Sequence, residues 1–255
     1  MSYYKNLSLL ITHYNRSNSL ERLLKSFKDL DCSFEDIVVS DDGSKVEHLD
    51  RIRQLQESYS FKLITSDKNR GLGNNMNKGQ DAVQTPFTLY VQEDFVPKKQ
   101  FAESLKRALK IVEERPDVDM VRFYAYFKYP YLKSYKYGFS EMRFSLFSPG
   151  YRKFYYYSDH PHLRRSDFFG KFGRYREGIK VEATEYAMMM SFLKGNGKAM
   201  FYDDYKGLFD QINSQQEPST VNRNYWRESR NPFVFLLRHC YRHLRFNFDY
   251  LFSGR

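Results

Sequence analysis

Two adjacent carboxylates, those of Glu93 and Asp94, follow the apolar segment 87–91. That segment has the composition of a buried strand, and open α/β sheets bind their ligands at the carboxyl ends of such strands. Neighbouring carboxylates repel each other, and a divalent metal carrying a diphosphate would relieve the repulsion. Taken alone, the pair could equally end a strand in a solvated acidic turn. The metal interpretation therefore needs further parts of a nucleotide site elsewhere in the sequence.

Polar segments also follow two earlier strand-like runs, 7–11 and 37–40. They cover residues 12–16 and 41–44, and each alone would be an ordinary turn. In a parallel sheet these strand ends share one edge, so side chains distant in sequence converge on one crevice. A nucleotide suits such a crevice, because carboxylates accept hydrogen bonds from base N–H groups and small polar side chains reach the ribose. Three polar strand ends in this order favour a binding site over three unrelated turns.

The apolar spacing predicts strands and helices in alternation, which implies βαβ units and right-handed crossovers. The predicted helices cover 17–27, 46–59, 75–84, a segment beginning near 96, and 183–194, and further strands cover 61–64 and 198–202. Regularity fades after about 118, where an aromatic stretch with interspersed Lys and Arg begins. We therefore expect an α/β fold built on a mostly parallel sheet.

Four segments carry a more specific pattern: 9–16, 38–44, 69–79 with its glycines, and 92–94. Together they resemble family 2 glycosyltransferases with the GT-A fold. The likeness is good over about 7–97 and continues weakly to about 205. It implies a Rossmann-like, mostly parallel sheet flanked by helices. It also implies inverting transfer of a sugar from a nucleoside-diphosphate donor, UDP by default, assisted by Mn²⁺ or Mg²⁺.

The resemblance assigns roles to individual residues. The donor nucleotide would be contacted by Thr12, Tyr14, Arg16, Asp41, Asp42, Arg70, Gln92 and Glu93. The metal would be held by Asp94 and Glu93, with Asp94 as the more direct ligand. Gln92 stands where the family usually has Asp, so this site has one carboxylate fewer than some relatives. Metal use is therefore expected but not assured by the sequence.

An inverting displacement needs a base that takes the proton from the acceptor hydroxyl. The family places an acid at the start of a helix in the second half of the domain, and segment 181–190 matches that position. Glu185 aligns best with this base. Glu182 lies three residues earlier, on the same helical face, and is the reserve. The alternative is that both acids only favour the positive end of a helix.

His160 and His162 precede this helix and are the acceptor-side candidates. By the resemblance, an equivalent loop approaches the donor sugar and the acceptor. The alternative is that both histidines are structural. The aromatic stretch 123–157 could form the acceptor wall, since sugars stack on Tyr and Phe rings, or it could simply fill a core.

The composition limits the setting of the protein. Its formal net charge is +10, and 18% of its residues are aromatic. A basic surface attracts nucleic acid, anionic lipid or phosphorylated molecules, and charge alone does not choose among them. Cys32 and Cys240 suggest neither a disulfide framework nor a zinc site. Without a signal-peptide pattern or a run of 18 apolar residues, we expect a cytoplasmic protein.

The end of the chain concentrates the charge. Residues 222–255 hold seven Arg and two acids, so this segment carries half of the net charge. On a helix, one stripe would contain Phe233, Leu236, Leu237, Cys240, Leu244, Phe248 and Leu251, and the opposite one Arg238, Arg242 and Arg245. This pattern is typical of an interfacial membrane helix, and docking on the domain or on a partner subunit is the alternative.

These observations predict two regions. Residues 1–210 would form the GT-A domain, with a nucleotide-sugar-binding half (1–97) and an acceptor-side half (98–210). Residues 211–255 would form a polar linker and a basic amphipathic segment, with contact through 231–255 to the inner face of the cell membrane left open. The sequence makes no prediction of oligomeric state.

The leading function is sugar transfer to a glycan or lipid-linked acceptor in surface polysaccharide synthesis. A non-catalytic nucleotide- or glycan-binding relative stays open because of Gln92. Nucleotidyl transfer is disfavoured because no glycine-rich loop follows the first strand. Nucleic-acid binding is disfavoured because no such motif is visible, so nucleic acid is not an expected partner.

Overall fold

The first half of the chain alternates strands and helices as the sequence predicts. The computed structural model describes residues 2–213, 217 and 231–254. The elements are β1 (Ser2–His13), α1 (Ser17–Asp29), β2 (Cys32–Asp41), α2 (Val46–Tyr59), β3 (Lys62–Ile64), α3 (Leu72–Asp81) and β4 (Phe87–Gln92). Parallel pairing joins β1 to both β2 and β4, and β2 to β3. Helix α3 begins three residues before the predicted start.

The second half holds more regular structure than the sequence predicts. Its elements are β5 (Phe95–Pro97), α4 (Phe101–Glu114), β6 (Met120–Arg122), β7 (Leu132–Ser134), β8 (Phe139–Met142), β9 (His162–Arg165), α5 (Phe168–Phe172), α6 (Val181–Lys194), β10 (Ala199–Tyr202), β11 (Phe209–Gln211) and α7 (Pro232–Phe252). The helix expected from near 96 begins only at Phe101, because β5 pairs with β11 instead. Three short strands and a 3₁₀ turn lie within the aromatic stretch.

One large sheet organises the domain. Its strand order is β3-β2-β1-β4-β9-β6-β10-β8-β7, and only β9 and β8 run against the common direction of the other seven strands. Strand β9 is inserted antiparallel between β4 and β6. Its amino end therefore lies beside the carboxyl ends of β4 and β6, which brings the loop before His162 to the edge predicted to bind ligand.

Apolar layers cover both faces of the sheet. Alternate residues of β1 point to opposite faces: Leu9 and Ile11 belong to one buried cluster and Leu10 to the other. The first cluster includes apolar residues of α1 and α4, and the second those of α3 and α6. A strand covered on both faces needs a continuous apolar run, which explains the composition of β1 and β4.

Helix α7 packs on the domain along one side, through contacts that include those of His239, Phe246 and Tyr250. Phe246 is its one side chain that is almost fully buried, and it packs against the rings of Phe154 and Tyr186. No helix among the described residues is long and apolar enough to cross a bilayer. The predicted linker 211–224 is described only at 211–213 and 217, and the rest of it lies outside the described residues. The division at 210/211, which remains a prediction, falls inside β11.

Candidate functional site

The ends of β1, β2 and β4 lie side by side at one edge of the sheet. Thr12 is in register with Gln92, and His13 is in register with Asp41. The polar residues that follow these strands are therefore brought together, as the sequence predicts. The edge of the sheet carries two different kinds of polar cluster, one at β1–β2 and one after β4.

At the β1–β2 end, Asp41 is wholly buried and holds a turn together. Its carboxylate accepts from His13 Nδ1 at 2.8 Å and from the backbone N–H of Ser44 at 3.0 Å. His13 Nε2 accepts from the backbone N–H of Arg16, so Nδ1 carries the proton. Burial would raise the pKa of Asp41, but the hydrogen bonds from His13 and Ser44 outweigh it and lower the pKa. The charge of Asp41 thus positions the turn.

Asp42 holds the glycine-rich loop in place, as Asp41 holds its turn. Its two oxygens accept from the backbone N–H groups of Arg70 and Gly71 at 2.9 and 2.8 Å. Burial raises the pKa of Asp42, against those two hydrogen bonds. The Arg70 side chain is exposed at this edge. Asp42, which is predicted to contact the nucleobase, therefore fixes the loop that carries Arg70.

The remaining predicted donor residues lie on β1 and just after it. The hydroxyls of Thr12 and Tyr90 are hydrogen-bonded at 2.9 Å, and Thr12 is buried. Tyr14 is half-buried, as is Gln92. These side chains line the same edge as Asp42 without forming a common hydrogen-bonded network with it.

After β4, Glu93 and Asp94 are both buried beside the guanidinium of Arg16. Arg16 Nη1 lies 3.4 Å from Glu93 Oε1 and 3.6 Å from Asp94 Oδ2. Burial, followed by repulsion from Asp94, raises the pKa of Glu93 to about 8, while Arg16 acts in the opposite direction. Gln211 donates to Asp94 Oδ2 at 2.9 Å. The acids are thus held together by a cation that the sequence did not place between them.

The donor set fits a hard divalent cation in part. Asp94 Oδ1 is buried without a hydrogen-bond partner in the described part of the chain, and the adjacent carboxylate of Glu93, also buried, could supply a second oxygen ligand. No group of three or more His, Cys, Asp or Glu that could hold a metal occurs among the described residues. One or two carboxylates completed by substrate phosphates and water are the usual protein contribution to a Mg²⁺ site.

A buried acid from beyond β11 closes this end of the crevice. The carboxylate of Glu217 accepts from the backbone N–H groups of Asn18 and Ser19 at 3.0 and 2.9 Å. Its backbone carbonyl accepts from Arg16. An anion is favoured at the amino end of a helix such as α1. The polar composition of 211–224 gave no signal for this contact.

Residues of the second half of the domain form a partly open cavity of about 260 Å³. It is lined by Arg122, Ala125, Tyr126, Phe127, Tyr129, Tyr155, Ser158, His160 and Glu185. Glu185 Oε1 accepts from the backbone N–H of Asp159 at 3.2 Å. Burial raises the pKa of Glu185, and the nearby charge of Arg122 lowers it. The cavity therefore combines a carboxylate, a cation and aromatic rings, which is a suitable lining for a sugar.

The other predicted second-half residues are placed differently. Glu182 does not line this cavity but a larger groove between α6 and α7, whereas Glu185 lines both. His160 lines the cavity, and its ring meets that of Tyr126 edge-on at 4.5 Å. Burial lowers the pKa of His160 to about 3, so its ring is neutral. His162 lies in β9 with no exposed surface, so in this conformation it supports the site from within the sheet.

Two contacts join the acid pair to the cavity. Gln211 donates to Asp94 and accepts from the hydroxyl of Tyr126 at 3.0 Å. The ring of Phe95, next to Asp94 in the chain, lies 6.0 Å from that of His160. Side chains in contact thus link the predicted metal ligand to the wall of the cavity that the predicted base lines.

Several residues of the site were missed by sequence reasoning. Gln211 and Arg122 carry no local motif, and only the sheet order brings them to the cavity. Asp159 directly precedes the two candidate histidines, but the sequence predicted no role for it. Its carboxylate accepts from the hydroxyls of Tyr157 and Tyr175 at 2.8 and 2.6 Å. Burial and the neighbouring Glu185 raise its pKa to about 7.

An α/β sheet whose strand ends converge on paired acids and a sugar-sized cavity defines a nucleotide-sugar-binding class of protein. The family model described as glycosyl transferase family 2 matches residues 8–193. The chain belongs to this family, whose members are enzymes that transfer sugars. The resemblance seen in the sequence is thereby confirmed.

Curated relatives match parts of the chain. A cholesterol galactosyltransferase of Borreliella burgdorferi is 27% identical over 121 residues, which are 48% of this chain and 33% of that protein. A poly-beta-1,6-N-acetyl-D-glucosamine synthase of Staphylococcus epidermidis is 25% identical over 92 residues, 36% of this chain and 22% of that protein. The matches thus span a third or less of these relatives' length.

Solved structures share the fold. S. aureus TarS 1–349 in complex with UDP-GlcNAc superposes with a TM-score of 0.62 at 17% identity, covering 97% of this chain and 76% of that one. The mannosyltransferase PcManGT of Pyrobaculum calidifontis, in complex with GDP-Man and Mn²⁺, gives 0.61 at 13% identity, covering 98% and 65%. The expected GT-A fold is confirmed by these similarities.

Proposed function

We propose that this protein transfers a sugar from a nucleoside-diphosphate donor, UDP by default, to a hydroxyl of a glycan or lipid-linked acceptor in surface polysaccharide synthesis, with inversion. The observation that supports the proposal most is the contact chain from Asp94 through Gln211 to Tyr126, which lines the same cavity as Glu185. A donor held at the strand edge would place its sugar toward that cavity. The names of the relatives, among them a galactosyltransferase and a polysaccharide synthase, support the same class of reaction.

The proposed donor contacts follow the strand edge. Thr12, Tyr14 and Asp42 would hold the base and ribose, and Asp41 would keep the turn in place behind them. Arg70, exposed on its fixed loop, would reach the phosphates. Arg16, Gln92 and Glu93 lie between these groups and Asp94. Fixed groups that do not reorganise on binding favour donor affinity.

Asp94 and Glu93 would hold Mn²⁺ or Mg²⁺ together with the donor diphosphate. Asp94 Oδ1, which has no hydrogen-bond partner among the described residues, supports this proposal. One or two carboxylates with the donor phosphates and water suffice for such an ion, so no third protein ligand is needed. Such an ion would neutralise the charge that develops on the leaving diphosphate. The guanidinium of Arg16, already against both acids, would share that task.

Glu185 would take the proton from the acceptor hydroxyl. It lines the cavity, its raised pKa suits a base that works near neutral pH, and the backbone N–H of Asp159 orients it. His160, whose neutral ring packs edge-on against that of Tyr126, would contact the acceptor or the donor sugar. His162 has no exposed surface, so we assign it a supporting position.

Turnover of the donor without acceptor tests the proposal. Hydrolysis of UDP-sugars by the full chain should be lost in Asp94→Asn and in Glu185→Gln. Asp210→Asn is a matched control, because this carboxylate is 61% exposed and pairs with Lys98 at the surface. Hydrolysis that survives in both site variants would show that neither Asp94 nor Glu185 carries the chemistry, and a wild type that binds UDP-sugars without hydrolysing them would be a donor-binding protein only.

The C-terminal helix would attach the protein to the inner face of the cell membrane. Its apolar stripe is exposed in the structure: Phe233, Leu236, Leu237, Leu244, Phe248 and Leu251 are each more than half exposed. An apolar face with flanking arginines is the pattern of an interfacial helix. Cosedimentation with anionic vesicles should be weakened in Leu244→Ser but not in Val46→Ser, an equally exposed apolar residue on α2. Equal cosedimentation of both variants would count against membrane contact.

A further inference from the structure

Helix α7 docks with its basic side against the domain. Arg238, Arg242 and Arg245 line the groove between α6 and α7, while the apolar stripe faces away. The Arg242 guanidinium lies 5.4 Å from the ring centre of Tyr151, and that of Arg245 lies 5.2 Å from Tyr186. Aromatic rings thus support two of the cations in the groove wall. An amphipathic helix that only needed to dock would have buried its apolar side instead.

The groove is strongly basic. It has a volume of about 1150 Å³, and eight cationic residues line it against three acids. The cations are Lys171, Arg174, Arg176, Lys180, Lys194, Arg238, Arg242 and Arg245. Within the described ranges, Arg176, Lys180 and Arg242 form no ion pair with a carboxylate. Three of the other cations, Lys171, Arg174 and Arg245, pair with carboxylates. The positive charge of Arg176, Lys180 and Arg242 is not neutralised in this way, and it favours an anionic ligand.

The groove leads to the proposed base. Tyr155 and Glu185 line both the groove and the 260 Å³ cavity, so the two spaces meet at the Glu185 carboxylate. The acid pair is linked to that cavity through different lining residues, Tyr126 and His160. A ligand in the groove would therefore approach Glu185 from the side away from the donor phosphates, which is the side an acceptor needs in an inverting transfer.

We propose that the acceptor carries a phosphate or diphosphate, which binds in the arginine-lined groove between α6 and α7 while its sugar enters the cavity at Glu185. Arginine suits this task because its planar fork pairs with phosphate oxygens in a bidentate manner. A neutral glycan would gain nothing from eight cations. This inference rests on the proposed sugar transfer, and it adds the chemical class of the acceptor. A lipid-linked phosphate and a soluble phosphorylated glycan share this chemistry.

Binding of inorganic pyrophosphate tests the groove separately from the donor site. The full chain is saturated with UDP and Mn²⁺, and pyrophosphate binding is then measured by calorimetry. We expect binding that weakens at least about tenfold in the Arg238→Gln/Arg242→Gln double variant, because the charge-assisted bonds are lost. Arg53→Gln, on the exposed face of α2, is the control and should bind as the wild type does.

The outcomes separate the two proposals. Failure of UDP, GDP and dTDP alike to bind would overturn the proposed function. Normal binding of a nucleoside diphosphate with no pyrophosphate binding, or with equal pyrophosphate binding by the double variant, would overturn the groove inference alone. Methyl diphosphate and decyl diphosphate distinguish the sources. Tighter binding of the decyl ester in the presence of vesicles supports a lipid-linked acceptor, and equal binding of both esters supports a soluble phosphorylated one.

Discussion

The two ends of the crevice differ in how completely their buried polar groups are satisfied. At the β1–β2 end, the carboxylates of Asp41 and Asp42 accept from His13 and from backbone N–H groups of the loops they hold. Toward the cavity, Asp94 Oδ1, Arg122 Nε and Asp159 Oδ2 are buried without partners in the described residues. An unsatisfied buried group costs about 1–3 kcal/mol. Folding therefore completes the first end, and we expect a ligand to complete the second.

Replacing the proposed base should have the largest effect. Glu185→Gln keeps the shape of the cavity but removes the group that accepts the proton. A general base contributes about 10²–10⁴-fold, so kcat for donor turnover should fall at least about a hundredfold while UDP affinity stays the same. Steady-state kinetics and calorimetry measure the two quantities.

Glu182→Gln is the matched control for that experiment. Glu182 lies one helical turn away and lines only the groove, so its variant should retain most of kcat. The opposite ranking of the two variants would assign the base to Glu182, and full activity of both would leave no base on α6.

A substitution in the turn after β2 should destabilise the β1–β2 end of the crevice. Gly43 has φ +69°, and a Cβ there would lie 2.4 Å from the backbone carbon of Lys68. Gly43→Ala should lower the free energy of unfolding by about 1–3 kcal/mol, because strain at a left-handed position adds to the steric clash. Denaturant unfolding measures the loss. Gly170→Ala, where a Cβ meets nothing, should not destabilise the protein, and equal losses would show that the turn is not specially constrained.

The buried carboxyl group of Asp159, at the cavity end of the crevice, should make the free energy of unfolding depend on pH. Burial raises the pKa of Asp159 from 3.8 to about 7, so between these pH values the folded state binds a proton that the unfolded state has lost. The free energy of unfolding should therefore fall as pH rises through that window, by at most about 1.4 kcal/mol per pH unit for this group. Asp159→Asn should flatten the curve. A curve of unchanged slope would mean that Asp159 stays ionised on folding.

The smallest expected effect concerns Arg122. Its charge lowers the pKa of Glu185 against the burial that raises it. Arg122→Gln should therefore shift the acidic limb of the kcat–pH profile to higher pH. Arg122→Lys, which keeps the charge, should restore the limb. A limb that is displaced equally by both variants would indicate a packing effect.

The residues of the β1–β2 end of the crevice were easier to predict from the sequence than those of the cavity end. These residues lie at the ends of strands or directly after them. The alternation of strands and helices, which makes the strands parallel, is therefore enough to bring Thr12, Asp42 and Gln92 to one edge of the sheet. The acid pair was found in the same way. What escaped was the position of Arg16 between the acids, since it depends on how the chain turns after β1.

The cavity was harder to predict because its residues come from separate strands and loops. Arg122 and Gln211 reach it only through the insertion of β9 between β4 and β6 and the pairing of β5 with β11. Neither pairing leaves a pattern in the local sequence. The orientation of α7 was also not predictable, because its basic face docks on tyrosines that lie about 50–90 residues earlier in the chain.

Ligand-induced stabilisation tests the central claim most directly. Melting temperatures of the full chain are measured with UDP, GDP and dTDP, each with and without Mn²⁺. We predict a metal-dependent rise with one base, retained in Glu185→Gln and lost in Asp94→Asn, since a ligand that binds only the folded state stabilises it. No rise with any nucleoside diphosphate would contradict the account of this crevice as a nucleotide-sugar site.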